Sequence, residues 1–264
     1  MQVRIDITVS AQENADRYFE ESKRARQKRE GAEAIIPKLE KKVREQQKDV
    51  EQRRESRRLR ELAKKEWYEK FRWFFTSNAM LAIGGHDAQQ NEMLNSKHFD
   101  SNDLFFHADV FGASLVILKD GINASKEVKE EVAQFAACHS RAWEQGSTVN
   151  VYALRRDQVS KSKEKGSLAT GSFLLEGERE WYKNTMLEMS AFISTKPGSE
   201  VKYVAIAPFL TCKALNPDKY LKITPGNAKK SDAGKRIVNA FSCDLDYAMQ
   251  MLPAGQFNIK GNLG

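Results

Sequence analysis

Hydrophobic positions are sparse over the first seventy residues and crowd into short, strand-like runs after them. Val3, Ile5 and Ile7 alternate with Arg4, Asp6 and Thr8, a period of two that predicts a short extended segment. From Ala11 the chain is dominated by Ala, Glu, Lys, Arg and Gln, all good helix formers, with Ser10 placed as the N-cap. Gly31 and Pro37 are the only breakers, and Pro37 predicts a kink or the start of a second helix. Beyond it, Ile36, Leu39, Val43 and Val50 form a thin heptad seam that fails at Gln46, Arg53 and Arg57. Two readings stay open for a helix expected to reach Glu69: a solvated basic helix, or one strand of a coiled-coil hairpin whose other strand is missing. Arginines at 53, 54, 57, 58 and 60 fall on neighbouring turns and offer phosphate contacts or an intrahelically paired face.

Lys70 to Asn91 divides the chain. An aromatic run, Phe71-Arg72-Trp73-Phe74-Phe75, and a second run, Met80 to Ile83, predict a hairpin turning at Ser77-Asn78, with Asn78 taking the positive φ. Gly84-Gly85 allows a close backbone approach, and Asp87 to Lys97 reads as a short polar helix. Strands are expected at 103–107, 114–119, 148–154, 172–175 and 201–207, the last stopped by Pro208. A turn is expected at 109–112. Ser125 caps a helix with Val128, Val132, Phe135, Ala136 and Trp143 on one face, ended by Gly146. Arg155 to Gly171 reads as an exposed basic loop, and Pro225 to Ala228 as the lead into a last helix bearing Ile237, Phe241 and Leu245. The class is α+β: a mixed sheet with few helices, preceded by a long charged helix. Residues 1–69 form the arm and 70–264 the globular domain.

Composition then narrows the partners. A formal charge of +7 and a pI near 9.2 favour an anionic partner, nucleic acid before membrane. No apolar run approaches the roughly 20 residues of a membrane helix, so the expected location is the cytoplasm. Cys138, Cys212 and Cys243 are odd in number and widely spaced, which fits reduced thiols. His86, His98, His107 and His139 lack zinc-ligand spacing, and neither a metal nor a cofactor is expected.

The candidate chemistry is basic. Gly226 and Gly234 beside lysines invite a phosphate-loop reading, but position 231 is Ser and position 229 is Lys, so the G-x-x-x-x-G-K spacing fails. What remains is a helix whose first turn is expected to carry Lys229, Lys230, Lys235 and Arg236 near free N–H groups, an end that attracts phosphate. Candidate RNA contacts are these four with Arg72, Arg155 and Arg156. No nucleophile elbow or dinucleotide fingerprint is present, and adjacent His and Asp residues on a strand point to opposite faces.

Phe71-Arg72-Trp73-Phe74, then Gly84-Gly85-His86-Asp87-Ala88-Gln89-Gln90-Asn91-Glu92, then His107-Ala108-Asp109 with Gly112-Ala113, resemble the successive signatures of the RNA-binding domain of the NFACT family of ribosome-associated quality-control factors. Gly171-Ser172-Phe173, Thr224-Pro225-Gly226 and Lys229-Lys230 fit its later part, and Val3 to Ala11 with Asn14-Ala15 and Tyr18 fits the approach to the family's second coiled-coil strand. The motif residues it singles out are Gly84, Gly85, Asp87, Gln90, Asn91, Glu92, His107 and Asp109.

The resemblance implies that an amino-terminal domain and the first coiled-coil strand lie outside these 264 residues, so the chain is expected to be one half of a split gene or a fragment. It also implies a non-catalytic factor that binds RNA of a stalled large ribosomal subunit and tRNA and supports rescue and tailing of the nascent chain. Two alternatives stand beside it: a nucleic-acid-processing enzyme using Asp87, Glu92, His107 and Asp109, and an interaction module that docks a separately encoded amino-terminal half through the coiled coil.

Overall fold

A computed structural model describes residues 4–62, 66–146, 148–161 and 169–262, side chains at 34, 38, 52 and 54–62 excepted. The chain divides into two compact units, Met1–Ala63 and Lys64–Gly264. The first is one helix, α1, Ala11–Leu62, which runs through Pro37 without restarting. Its length is about 78 Å at 1.5 Å per residue. Pro37 removes one backbone hydrogen bond but leaves a helix bonded on both sides of it. At the start, the Ser10 hydroxyl accepts from the Glu13 amide and the Glu13 carboxylate accepts from the Ser10 amide, a reciprocal capping box.

The extended segment before the helix is not a strand. Ile7 to Val9 form a turn, and Ile5 and Ile7 are exposed. A lone strand has no ladder, so its polar backbone finds other partners: the Asn14 side chain accepts from the Asp6 amide and donates to the Asp6 carbonyl, and the Tyr18 hydroxyl donates to the Arg4 carbonyl. The sparse seam at Ile36, Leu39, Val43 and Val50 lies in solvent, each residue about half exposed. Pairs Arg17–Glu21, Arg26–Glu30 and Arg29–Glu33 lace the surface of the helix, each worth about 0.3–0.5 kcal/mol. The Arg54–Arg60 side chains of the basic run lie outside the described residues.

The helix does not continue to Glu69. Glu66 is extended, and Trp67–Lys70 form a 3-10 turn that buries Tyr68 in the globular unit. There follow β1 Arg72–Phe75, β2 Leu81–Gly84, α2 Ala88–Lys97, β3 Leu104–Ala108, β4 Val116–Leu118, α3 Lys126–Cys138, α4 Ala142–Gln145, β5 Val149–Arg155, β6 Val159–Ser160 and β7 Leu174–Leu175. The order continues with β8 Glu180–Thr185, β9 Met189–Thr195, β10 Lys202–Pro208, α5 Phe209–Leu215, β11 Tyr220–Ala228, α6 Lys230–Phe241, α7 Leu245–Met251 and β12 Phe257–Asn262. A six-stranded sheet runs β1-β2-β4-β3-β5-β8, a four-stranded sheet runs β10-β9-β11-β12, and β6 pairs with β7. All pairings are antiparallel and the class is α+β.

Helix α3 is the common core. It packs on β3, β5 and β8 of the larger sheet, on β10 of the smaller one and on α5. Packing on both sides explains why it is buried from Glu131 to Cys138, polar Glu131 and Gln134 included. Ser125 caps it as expected, accepting from the Val128 amide. It stops at Cys138 rather than Gly146; His139 breaks the helical angles, and Trp143 belongs to the separate α4, which Gly146 closes at φ 69°. Cys138 and Cys212 are buried thiols, both pushed up by desolvation, and none of the three cysteines forms a disulfide.

The β1–β2 hairpin forms with Trp73 opposite Ile83 and Phe75 opposite Leu81. The positive φ falls on Ala79, not Asn78. Thr76 accepts from the Ala79 amide, so Ser77 and Asn78 occupy the centre of an ordinary turn and the next residue takes the left-handed position. Beyond β10 the sheet continues: β10 is followed by α5 and by β11 and β12, so residues 201–207 are not the last core strand. Pro225 to Ala228 belong to β11, past the end of its pairing with β9, where the register on β12 shifts. An edge position at a bulge is where a strand tolerates a proline, since no ladder N–H is needed there.

Candidate nucleic-acid interface

Gly84-Gly85-His86-Asp87 is the passage from β2 into α2. Asp87 is the N-cap, its carboxylate accepting from the Gln90 amide at 2.8 Å. Gln90 accepts from the His86 amide and donates to the Lys70 carbonyl, tying α2 to the 3-10 turn. Asn91 accepts from the Leu115 amide before β4. A Cβ at Gly85 would stand 2.1 Å from the Asn91 Oδ1 and 2.9 Å from the Asn91 amide, so Gly85 serves close approach to α2 and not a left-handed turn. Glu92 pairs with Lys161 and accepts from the Gly171 amide. Gly171 sits at φ 78° against Ala88, with no room for a Cβ. Motif stretches far apart in sequence are thus assembled around the start of α2.

Arg72 lies at the edge strand of this joint. Its Nη1 donates to the Gly85 carbonyl at 2.8 Å and to the Ser114 hydroxyl at 3.0 Å. The Ser114 amide in turn donates to the His139 carbonyl. His86 Nε2 meets the Gln250 amide of α7 at 3.4 Å, and Lys230 Nζ donates to the Leu252 carbonyl at the end of α7. Arg72, His86, His139 and Lys230 therefore come together from β1, the β2–α2 turn, the end of α3 and the start of α6. Burial pulls the Arg72 guanidinium down to about 10 and the Lys230 ammonium down to about 8, the latter also through Arg72. Burial, then Arg72 and Lys230, bring His86 down to about 4; Asp87 opposes this. His139 lies well below the usual imidazole range for the same reasons, burial first.

His98 and His107 are lowered too, chiefly by burial. All four imidazoles thus titrate below 6.5 in the fold. The unfolded chain takes up their protons first as pH falls, so this contribution is fully present above pH 6.5 and is lost on acidification toward 4. Urea midpoints measured from pH 7 to 4.5 are expected to fall steadily, and His139→Gln is expected to flatten the slope.

The remaining expected site residues lie apart from this cluster. Lys229 and Lys230 start α6, while Lys235 and Arg236 stand more than a turn further on rather than in its first turn, because the helix begins at Lys230. Lys229, Lys235 and Arg236 are exposed, and no ion pair engages them among the described residues. Arg156 donates to the Val159 carbonyl and covers the Phe99 ring, while exposed Arg155 lines an open cleft with Lys129, Arg179, Asp157, Glu178 and Glu180, a mixed-charge wall. The centre of the basic loop, 162–168, lies outside the described residues; its ends form a 3-10 turn at Arg156–Gln158 and the β6–β7 pair.

His107 is packed against Tyr152, 3.3 Å from its hydroxyl, while Asp109 is exposed at the start of the following turn. With Asp87 capping a helix and Glu92 paired with Lys161, these four residues are engaged separately. Among the described residues no three His, Cys, Asp or Glu side chains are grouped to hold a metal. The sequence alone did not join His86, His139, Ser114 and Gln250 to Arg72; the only signal was the place of His86 inside the glycine motif.

Among the described residues no helix is long and apolar enough to cross a membrane. Together these features define an α+β module with a basic helix and a cationic joint. Residues 70–177 match the model of the NFACT protein RNA binding domain. The archaeal Rqc2 homolog aRqcH of Methanocaldococcus jannaschii is 36% identical over 74% of this chain and 29% of its own length. The ribosome quality control complex subunit NEMF homolog of Drosophila melanogaster is 34% identical over 71% of this chain and 19% of its own. A solved structure, the C-terminal region of the fibronectin/fibrinogen-binding protein from Streptococcus suis, aligns over 47% of each chain at 24% identity with a TM-score of 0.39. The chain belongs to the NFACT family, and spans less than a third of the curated relatives it matches.

Proposed function

We propose that this chain is an RNA-binding component of ribosome-associated quality control, which holds the large ribosomal subunit of a stalled ribosome and tRNA, supports rescue and nascent-chain tailing, and is not itself a catalyst. The relatives' names, as ribosome quality control subunits and an Rqc2 homolog, support the setting, and the RNA-binding domain match supports the chemistry. The observation that carries the reading is α6, where Lys229, Lys235 and Arg236 are exposed without an ion pair among the described residues. Unpaired surface cations release condensed counterions when they meet a polyphosphate, which makes binding salt-dependent. The exposed seam of α1 is available to a second coiled-coil strand, including one from a separately encoded half.

The test is a combined Lys229→Glu, Lys235→Glu and Arg236→Glu variant, assayed for binding to large-subunit RNA and tRNA over a salt series. Affinity is expected to fall at least about tenfold, and the slope of log affinity against log salt to flatten by about 0.7 to 0.9 for each phosphate that is no longer neutralised. Binding equal to that of the unaltered chain at every salt concentration would overturn the assignment.

A further inference from the structure

The joint between β1, α2 and α6 carries more positive charge than its own structure answers. Arg72 and Lys230 are both partly buried, and no carboxylate oxygen lies within ion-pair distance of either among the described residues. Asp87, the acid that acts on Arg72, already caps α2. Arg72 spends one nitrogen on the Gly85 carbonyl and Ser114, and its Nε is buried with no partner. His139 is 6% exposed, and both of its ring nitrogens lack a partner although one of them must carry a hydrogen. Of five buried side-chain polar atoms without a partner among the described residues, three belong to this pair.

Burying cations without a counter-charge costs several kcal/mol, and orphaned buried donors add to it. A fold that gathers two partly buried cations and an orphan imidazole in one region is incomplete without an anion. The start of α6 adds to this: Lys229 offers no side-chain cap and its carbonyl takes the Asp232 and Ala233 amides, which leaves the Lys230 and Ser231 amides uncapped. The guanidinium is a planar fork suited to a tetrahedral oxyanion, the ammonium a point charge, and the imidazoles neutral donors near pH 7.

We infer that Arg72, Lys230, His86 and His139 form a site for one phosphate group, a backbone phosphodiester of the bound RNA. This rests on the RNA-binding reading above. RNA is favoured as the carrier because the helix that supplies partly buried Lys230 also bears exposed Lys235 and Arg236, within a rise of about 9 Å. The site would fix one phosphate in register while Lys235 and Arg236 attract its neighbours.

The test uses the full chain and two probes: inorganic phosphate against chloride at matched ionic strength, and a short single-stranded RNA over a salt series. Phosphate is expected to raise the melting temperature and to move the ring nitrogen resonances of His86 and His139 more than chloride does. Lys230→Met is expected to abolish both responses and to reduce the RNA salt slope by about 0.7, one phosphate on a single strand. Arg72→Lys, which keeps the charge and removes the fork, is expected to weaken the phosphate response at least several-fold; circular dichroism establishes that each variant is folded. The Lys229, Lys235 and Arg236 variant should lose RNA affinity yet keep the phosphate response, which separates this site from the surface reading. Equal responses to phosphate and chloride, or a full response in folded Lys230→Met, overturn the site. A phosphate response in a chain that binds no RNA overturns RNA as the carrier.

Discussion

Replacing Glu131 by alanine is expected to destabilise the globular unit by about 3–4 kcal/mol, lowering its melting temperature by roughly 10 °C. Glu131 is 2% exposed on a helix that both sheets cover. Its carboxylate accepts from the Ser77 amide at 2.9 Å, from the Ser77 hydroxyl at 2.5 Å and from the Thr211 hydroxyl at 2.9 Å. One side chain therefore joins the β1–β2 turn, α3 and α5. Alanine leaves three donors without their acceptor and opens a void between the layers. Glutamine keeps the volume but turns a donor toward donors, so Glu131→Gln is expected to cost about half as much. Equilibrium urea unfolding of both variants measures the order; a Glu131→Ala midpoint equal to the parent's would refute the role given to this carboxylate.

A methyl group at Gly85 is the second large effect. Gly85→Ala places its Cβ against the Asn91 side chain and, at 2.9 Å, against the Asn91 backbone amide. The side chain can swing aside at the cost of its bond to the Leu115 amide, but the helix backbone cannot. The Gly85 carbonyl that holds Arg72 must move with it. Loss of about 3 kcal/mol is expected, together with a weaker phosphate response. Gly84→Ala is the internal contrast, because its nearest neighbour is the Val116 side chain at 3.2 Å, a contact that a small shift relieves. It should cost about 1 kcal/mol or less. Thermal unfolding of the two variants side by side decides whether steric closeness at Gly85 explains the double glycine.

Much of the local structure was legible because it depends on neighbours in sequence. The caps at Ser10 and Ser125, the aromatic hairpin and the polarity of α1 follow from residue type and spacing alone. The α+β class followed from the same runs. The strands β9, β11 and β12 were not foreseen, since their inward residues, such as Leu221 and Ile223, alternate with charged or small ones in stretches too short to separate from loop. The end of α3 at Cys138 was missed because the apolar period carries on through Trp143, across a break that only the packing of α4 requires.

By itself the sequence determined that a long charged helix precedes a globular part, the family motif around Gly84 to Glu92, and an excess of cations with no metal-ligand spacing. Tertiary structure alone decided what those residues do. It turned Glu92 into the partner of Lys161, and it brought His139 and Lys230 toward Arg72 across more than sixty residues of chain. The reason is physical: caps and turns are satisfied within a few residues, whereas burial of charge is set by which distant elements close over it.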